Sequence, residues 1–407
     1  MAMQAALSGL KVLEWSEGVS GPYCAKLLAD LGAEVTKIER PNTGDKARRR
    51  GPFPQDIPHP ERSGLFLYLN TNKLGVTLDP ANRTGVEVFR KLLKQSDILV
   101  QNNPPREVRK LGLDYDSIRE VNPHLVMTSI TPFGQTGPYR DYRACNLVSF
   151  HMSGMAFVNP SEGVDDSESM APLQGPSHQA GLMAGLSAAI ATMSAVFMRE
   201  MTGQGQHVDV SEQEALASIM RRELGVCTVE GIGWTRQKGT QPGMASDIYR
   251  CSDGLVYLIC FHDRTWEPWV EFMGNPDWAT SELFTDQTLR RENWDAAKVL
   301  IEDFTKEHTV DEILSAAEER RIPCKPVNTA DKVVQLELLA ARQYFAEVDH
   351  KEAGKVKIPG APYKLSETPW SVERPAPLLG EHNEEVYCGR LGFSTQDLVA
   401  LRAGGVI

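Results

Sequence analysis

A glycine-rich turn, Gly18-Val-Ser-Gly21-Pro22, separates the short apolar run LKVLEW at 10–15 from a helical pattern over 23–31. A strand, glycine turn and helix, with an acid closing the next strand, is how a dinucleotide is held, and Glu39 ends EVTKIE at 34–39. The spacing departs from GxGxxG, Pro22 sits in the first helical turn and Arg40 follows Glu39, which argues against nicotinamide. A second set is basic or amide: Lys37 and Arg40, Lys73 after Asn70 and Asn72, Asn102 and Asn103, then Lys110. They fall at predicted strand ends, where an open parallel sheet keeps its ligand crevice, and Arg with Lys would supply charge-assisted hydrogen bonds to phosphate. Taken singly, each also reads as a solvated surface cation.

The remaining polar candidates are isolated. His151 and His178 have no acid or nucleophile in sequence reach, and a lone histidine is more often a satisfied core or cap residue than a catalyst. The loop KGTQPG, Lys238 to Gly243, either covers a bound group or is a plain turn.

To gather these groups the chain needs a sheet. Strands are expected at 10–15, 34–39, 75–78, 97–101 and 125–130, with an amphipathic helix over 84–95 and Pro/Gly turns between. Strand–helix–strand order over 10–40 makes the architecture α/β with a parallel sheet. The acidic stretch 159–175 reads as an exposed loop before a small-residue helix over 178–199. A strand at 206–210 follows, then a helix capped by Ser211 with Glu214 as its capping-box partner. Residues 229–333 change texture, with most of the tryptophans and charged helices at 291–304 and 310–320. The expected division is 1–228, a smaller domain at 229–333, and a return over 334–407. Pro359, Pro362, Pro369, Pro375 and Pro377 keep that return extended across the surface until Asn383.

Bulk properties narrow the class. The chain has 407 residues, enough for two or three domains, with 41% apolar and 24% charged residues, as in an ordinary globular protein. A net charge of −11 gives no global basic field, so nucleic acid is not an expected partner and phosphate recognition must be local. Seven scattered cysteines without a CxxC suggest neither a disulfide framework nor a metal site and fit a reducing cytoplasm. No leader pattern is seen, and no stretch is expected to reach the roughly 18 apolar residues of a membrane span, so no membrane partner is expected.

Read in order, SGLKVLEW, GVSGPYCAKLLADLGAEVTKIERP with Gly44-Asp45, YLNTNKLGVTLD, SDILVQNN, TPFGQTGPY, AGLMAGLSAAIATMSAVFMREMTGQGQHVDVS, RRIPCKPV and RPAPLLGEH resemble the class III coenzyme A transferases. That family includes formyl-CoA transferase, carnitine CoA-transferase and α-methylacyl-CoA racemase. The resemblance implies an α/β fold, with a Rossmann-like large domain, a smaller α+β domain and an interlocked dimer. It also implies coenzyme A or acyl-CoA as substrate, no metal, and CoA contacts from Arg40, Lys73, Asn102 and Lys110.

Family chemistry relays CoA on an enzyme aspartate, whose acyl carbon is attacked by the CoA thiolate. With Gln179-Ala180-Gly181-Leu182 and Thr202-Gly203-Gln204-Gly205-Gln206 setting the register, that slot falls on Ser177, between Pro176 and His178. A serine has no carbonyl carbon to load with CoA; it reads instead as a helix N-cap accepting from Gln179 or Ala180. Asp165, Asp166 and Glu168 lie upstream in the polar loop, and Asn146 after Cys145 stands where many relatives carry an acid. The racemase pair is therefore missing too, since it uses the same aspartate slot. Some family members are unlike-subunit pairs, such as the enzyme moving CoA between succinyl-CoA and (R)-benzylsuccinate in anaerobic toluene breakdown. The resemblance thus implies a nucleophile-lacking subunit beside an aspartate-bearing paralogue, as heterodimer or heterotetramer, acting on an acyl-CoA and a carboxylic acid. The alternatives are a stand-alone acyl-CoA lyase, isomerase or hydrolase using Ser177 or His178, and a non-catalytic acyl-CoA-binding module.

Overall fold

The structure, a computed structural model, describes residues 5–159, 170–233, 247–260 and 262–407. The chain begins β1 Lys11–Trp15, α1 Ser20–Ala29, β2 Glu34–Glu39, α2 Gly64–Leu69, β3 Lys73–Thr77, α3 Arg83–Lys94, β4 Ile98–Gln101. It continues α4 Pro105–Lys110, α5 Tyr115–Val121, β5 Val126–Thr131, α6 Asn146–Met152, α7 Gln179–Thr202, β6 His207–Ser211, α8 Glu212–Ala217 and α9 Arg221–Glu230.

The six strands form one parallel sheet in the order β3-β2-β1-β4-β5-β6, the doubly wound order of the Rossmann fold. Strand β1 is central, pairing Val12 with Val35 on one side and Ile98 on the other. Because successive side chains alternate faces, Val12, Ile98 and Val100 join one core, while Leu13 and Leu99 join the other. Both faces are covered, so β4 (ILVQ) and β5 (VMTSIT) are buried throughout and lack polar alternation.

Helix α7 carries the first core. It is long and apolar enough, by length and composition, to cross a membrane, although Ser187, Thr192 and Ser194 interrupt its apolar run. Its Ala180, Gly181, Ala184, Gly185 and Ala188 are buried, and α1 lies along that small-residue face. A Cβ on Gly185 would stand 2.6 Å from the Ser20 carbonyl oxygen, so only glycine allows this approach of the two helices.

Division by internal contacts gives one unit of 1–156, 174–231 and 343–407, and a second of 157–173 and 232–342. Of the stretch 159–175, read from sequence as an exposed loop, the described residues 159 and 170–173 group with the second unit. That unit has an antiparallel sheet of β7 Asp247–Arg250, β8 Leu255–Leu258 and β9 Cys324–Pro326. Helices α10 Asp263–Phe272, α11 Gln287–Glu292, α12 Trp294–Thr305, α13 Val310–Glu319, α14 Ala330–Gln335 and α15 Glu337–Ala341 accompany it. Trp266, Trp269 and Trp294 pack with Ile301 and Ile313 in its core, accounting for the tryptophan-rich texture.

The C-terminal return forms a hairpin, β10 Phe345–His350 with β11 Gly354–Pro359, which the proline count did not suggest. Residues 360–382 have no helix or strand, and α16 Asn383–Tyr387 and α17 Thr395–Ala403 follow. This segment closes the β3 edge with side chains: His382 Nδ1 accepts the Gly75 N–H at 3.0 Å and Asn383 Oδ1 the Thr77 N–H at 2.9 Å.

Candidate functional site at the sheet switch point

Chain connections diverge between β1 and β4, and in such sheets the ligand crevice lies beyond the carboxyl ends of those two strands. Asn102 follows β4 directly and braces the turn after β1: its Oδ1 accepts the Glu17 N–H at 2.9 Å and its Nδ2 donates to the Glu17 carbonyl at 2.7 Å. Asn103 Nδ2 adds a bond to the Trp15 carbonyl at 2.8 Å. The turn after β2 is fastened to the same place, because Asp45 Oδ1 accepts the Gly18 N–H at 2.8 Å. Among the described residues no side chain caps the start of α1, so its orphan N–H groups and positive dipole end sit at this turn.

The expected cations divide into two groups. Arg40 is exposed at the crevice, its Nε 2.9 Å from Glu17 Oε1, and Lys46 Nζ lies 2.9 Å from Glu17 Oε2. Lys37 and Lys73 are instead fully buried beneath the turn, on the two oxygens of Glu14 at 2.8 and 2.7 Å. Lys73 also donates to the Pro22 carbonyl and Asn70 Oδ1, so its three donors are engaged inside the fold. Burial would raise the Glu14 carboxyl, but the two ammonium groups hold it below the ordinary range. Burial, with Lys37 nearby, brings Lys73 down to about 8. Among the described residues no hydrogen bond or ion pair joins the exposed Lys110 to Arg40 or Asn102. Of the four expected CoA contacts, then, the fold brings Arg40 and Asn102 together and turns Lys73 inward.

The acid that would mark a nicotinamide ribose site is also occupied. Glu39 is buried, takes Nε and a terminal nitrogen of Arg48 at 2.7 Å each, and accepts the Asp45 N–H at 2.9 Å.

At the start of α7 the expected N-cap is not formed. Ser177 is exposed with φ of 64°, two residues before the helix, and His178 precedes the first turn without a side-chain cap among the described residues. The acceptor comes from elsewhere: Asn146 Oδ1 takes the Ala180 N–H at 3.0 Å, and its Nδ2 reaches the Ser177 carbonyl at 3.4 Å. A left-handed residue cannot place its hydroxyl over the next turn as a β-region cap does. One turn further, a Cβ on Gly181 would lie 3.0 Å from Val19 and 3.4 Å from the Ser20 nitrogen, so α7 begins against the α1 turn. No Asp or Glu occurs from 170 to 199. Burial and Arg50 hold the His178 ring below its usual range, and His151 bonds the Leu147 carbonyl at 2.8 Å.

Two groups here escaped the sequence reading. Lys46 belongs to KARRR, whose placement depends on Asp45 capping the 3-10 turn at 46–49. Glu212, by position only a first-turn acid of α8, accepts through Oε2 from the buried Ser149 hydroxyl at 2.9 Å, and its carboxyl also meets Ser20. Burial pushes the Glu212 carboxyl up, and the two hydroxyls only partly offset that. Ser211 caps α8 through the Glu214 N–H at 3.3 Å, but the reciprocal half of the expected capping box is not formed. KGTQPG and the acids Asp165, Asp166 and Glu168 lie outside the described residues.

The profile of CoA-transferase family III matches residues 7–383. Formyl-CoA:oxalate CoA-transferase of Streptomyces avermitilis is 33% identical, covering 100% of both chains. The BbsE subunit of succinyl-CoA:(R)-benzylsuccinate CoA-transferase from Thauera aromatica is 32% identical, over 96% of this chain and 95% of that one. Among solved structures, a CAIB/BAIF family protein from Brucella suis superposes with TM-score 0.85 at 27% identity, covering 95% of this chain and 99% of that chain. The orthorhombic form of Rv3272 from M. tuberculosis gives TM-score 0.77 at 25% identity, covering 93% of this chain and 98% of that chain. With the profile and full-length relatives agreeing, the chain belongs to CoA-transferase family III.

Proposed function

We propose that this chain is the nucleophile-lacking subunit of a heteromeric CoA-transferase in the cytoplasm. It would move CoA between an acyl-CoA such as succinyl-CoA and an acid such as (R)-benzylsuccinate, as in anaerobic toluene degradation. The observation that carries this reading is the acid-free run 170–199, which spans Ser177 and the first turn of α7 where it meets the CoA-side turn of β1. An aspartate-bearing paralogue supplies the missing step. Its carboxylate attacks the donor thioester and expels CoA thiolate, leaving a mixed anhydride; the thiolate attacks the enzyme-side carbonyl and releases the donor acid; the acceptor carboxylate then attacks the enzyme thioester and expels CoA thiolate again, which takes the acceptor's acyl group from this second anhydride and frees the aspartate. This chain contributes its own crevice, with Arg40, Asn102 and Lys110 toward CoA and Lys73 holding the turn from beneath.

A partner is supported by the free side of α7. Leu186, Ile190, Phe197 and Met201 follow helical spacing and are 39, 63, 67 and 69% exposed, a surface suited to cover by a second chain in an interlocked pair. It is also supported by the relative BbsE, which is named as a subunit. Co-purification from the native source tests the assembly: a second similar chain is expected, and hydroxylamine trapping after acyl-CoA treatment is expected to modify that chain alone.

One observation favours a second reading, in which the chain works unaided on acyl-CoA. Glu212 is a carboxyl of this polypeptide bonded at the first residue of α1. Hydroxamate found on Glu212 of the purified chain would select that reading over the inert-subunit one.

A further inference from the structure

A cavity of about 410 Å³ opens at the other end of the sheet, over Lys11 and Glu34, the first residues of β1 and β2. The five residues of β1, at about 3.3 Å each, run from there to the turn at the crevice, so the two places are separate. Its volume is in the range that takes a small organic molecule.

The inner wall is apolar, with buried Leu13, Leu92 and Val386 supplied by β1, α3 and α16. Thr36 is the exception. It pairs with Leu13 across β1 and β2, shares that face and is 7% exposed, yet its hydroxyl makes no hydrogen bond among the described residues. A covered hydroxyl without a partner is destabilising, and a polar group of a ligand would relieve it.

The lining carries two cations and one carboxylate. Arg390 is held by Glu34 and, at 3.5 Å, by Glu385. Lys11 donates its backbone N–H to Asp97 Oδ2 at 2.9 Å, but its ammonium meets no acid among the described residues. Asp97 is itself shared with Arg199 at 3.1 Å. The mouth therefore keeps one surplus positive charge, with an apolar chamber behind it and a hydroxyl on the chamber wall.

We propose that this cavity is a second binding site, for a small hydroxylated organic acid, with its carboxylate on Lys11, its carbon chain against Leu13, Leu92 and Val386, and its hydroxyl on Thr36. The site needs neither CoA nor a thioester, so it stands apart from the question of which subunit carries the nucleophile.

Isothermal titration of the full chain with hexanoate, 6-hydroxyhexanoate and hexylamine tests it, with and without saturating CoA. The hydroxy acid is expected to bind most tightly, hexanoate less so and the amine least, with CoA changing none of these affinities. Lys11→Met should weaken both acids about tenfold, as loss of a charge-assisted bond implies, and Lys11→Arg should restore them. Melting temperature should not move, because the Lys11 side chain is exposed. Thr36→Val should leave hexanoate unchanged, which shows the cavity intact, and remove the advantage of the hydroxy acid. No binding of either acid, displacement by CoA, an amine bound as well as the acids, or full affinity in Lys11→Met overturns the site. A hydroxy-acid advantage that survives Thr36→Val overturns the assignment of the hydroxyl.

Discussion

Asn102 and Glu17, 85 residues apart, pair amide against backbone, with the asparagine accepting the Glu17 N–H at 2.9 Å and donating to its carbonyl at 2.7 Å. That pair joins the ends of β1 and β4 where the sheet's connections diverge, so the candidate crevice has a fixed floor before any ligand arrives.

Asn102→Ala removes both bonds. At about 1 kcal/mol net for each, the chain should lose about 2 kcal/mol of stability in denaturant unfolding, and CoA affinity should fall with it. Asn102→Asp keeps the acceptor but sets a carboxylate against the Glu17 carbonyl, and is expected to bind CoA more weakly than the alanine variant. Equal affinity in all three proteins would show that the brace has no part in binding.

Glu212 should make stability fall as pH rises. Its folded carboxyl titrates above the unfolded value of about 4.3, so the folded state holds more protons in that window. The group's contribution is complete below the unfolded value and is lost as pH climbs through the folded one. Glu212→Gln, which keeps a polar partner for Ser149, should flatten this component in melts collected from pH 4 upward. A variant curve parallel to the native one counts against it.

His382 should act in the opposite direction. Its Nδ1 accepts the Gly75 N–H, so the ring must be neutral, and burial together with Arg374 and Lys351 lowers its proton affinity despite Glu381 and Glu385. The contribution is full above the unfolded value of about 6.5 and declines as pH falls toward the folded one. Hydrogen exchange across 73–77, corrected for intrinsic rate, should quicken below that pH. Unchanged protection would mean that the C-terminal segment is held without His382.

Ser177 sits in the left-handed region without the chemistry that eases it. Ser177→Gly should therefore raise stability, by about 1 kcal/mol, seen as a higher melting temperature. A lower one would show that the serine side chain supports the α6–α7 junction.

Much of the large domain was legible. Apolar runs bounded by glycine and proline marked the strands, EVTKIE coincides with β2, and strand–helix alternation implies parallel pairing. Arg40 and Asn102 were readable as neighbours because residues ending adjacent parallel strands share one edge. The hairpin at 345–359 went unread although AEVD and KVKI alternate apolar with polar residues, because the prolines that begin at Pro359 argue for an extended course across the surface.

Residue order by itself settled the family, the sheet and the lack of an acid over 170–199, because each depends on local pattern or on the plain identity of side chains. Which lysines face solvent was decided only in three dimensions. Lys37, Lys73, Arg40 and Lys46 carry the same charge, but β2 and β3 are covered on both faces and draw the first two onto buried Glu14, while Asp45 and Asn102 hold the turns that leave the other two outside. The same holds for Glu212 and Ser177, since burial and backbone hand arise from how α1, α6, α7 and α8 pack, and no spacing in the chain encodes that directly.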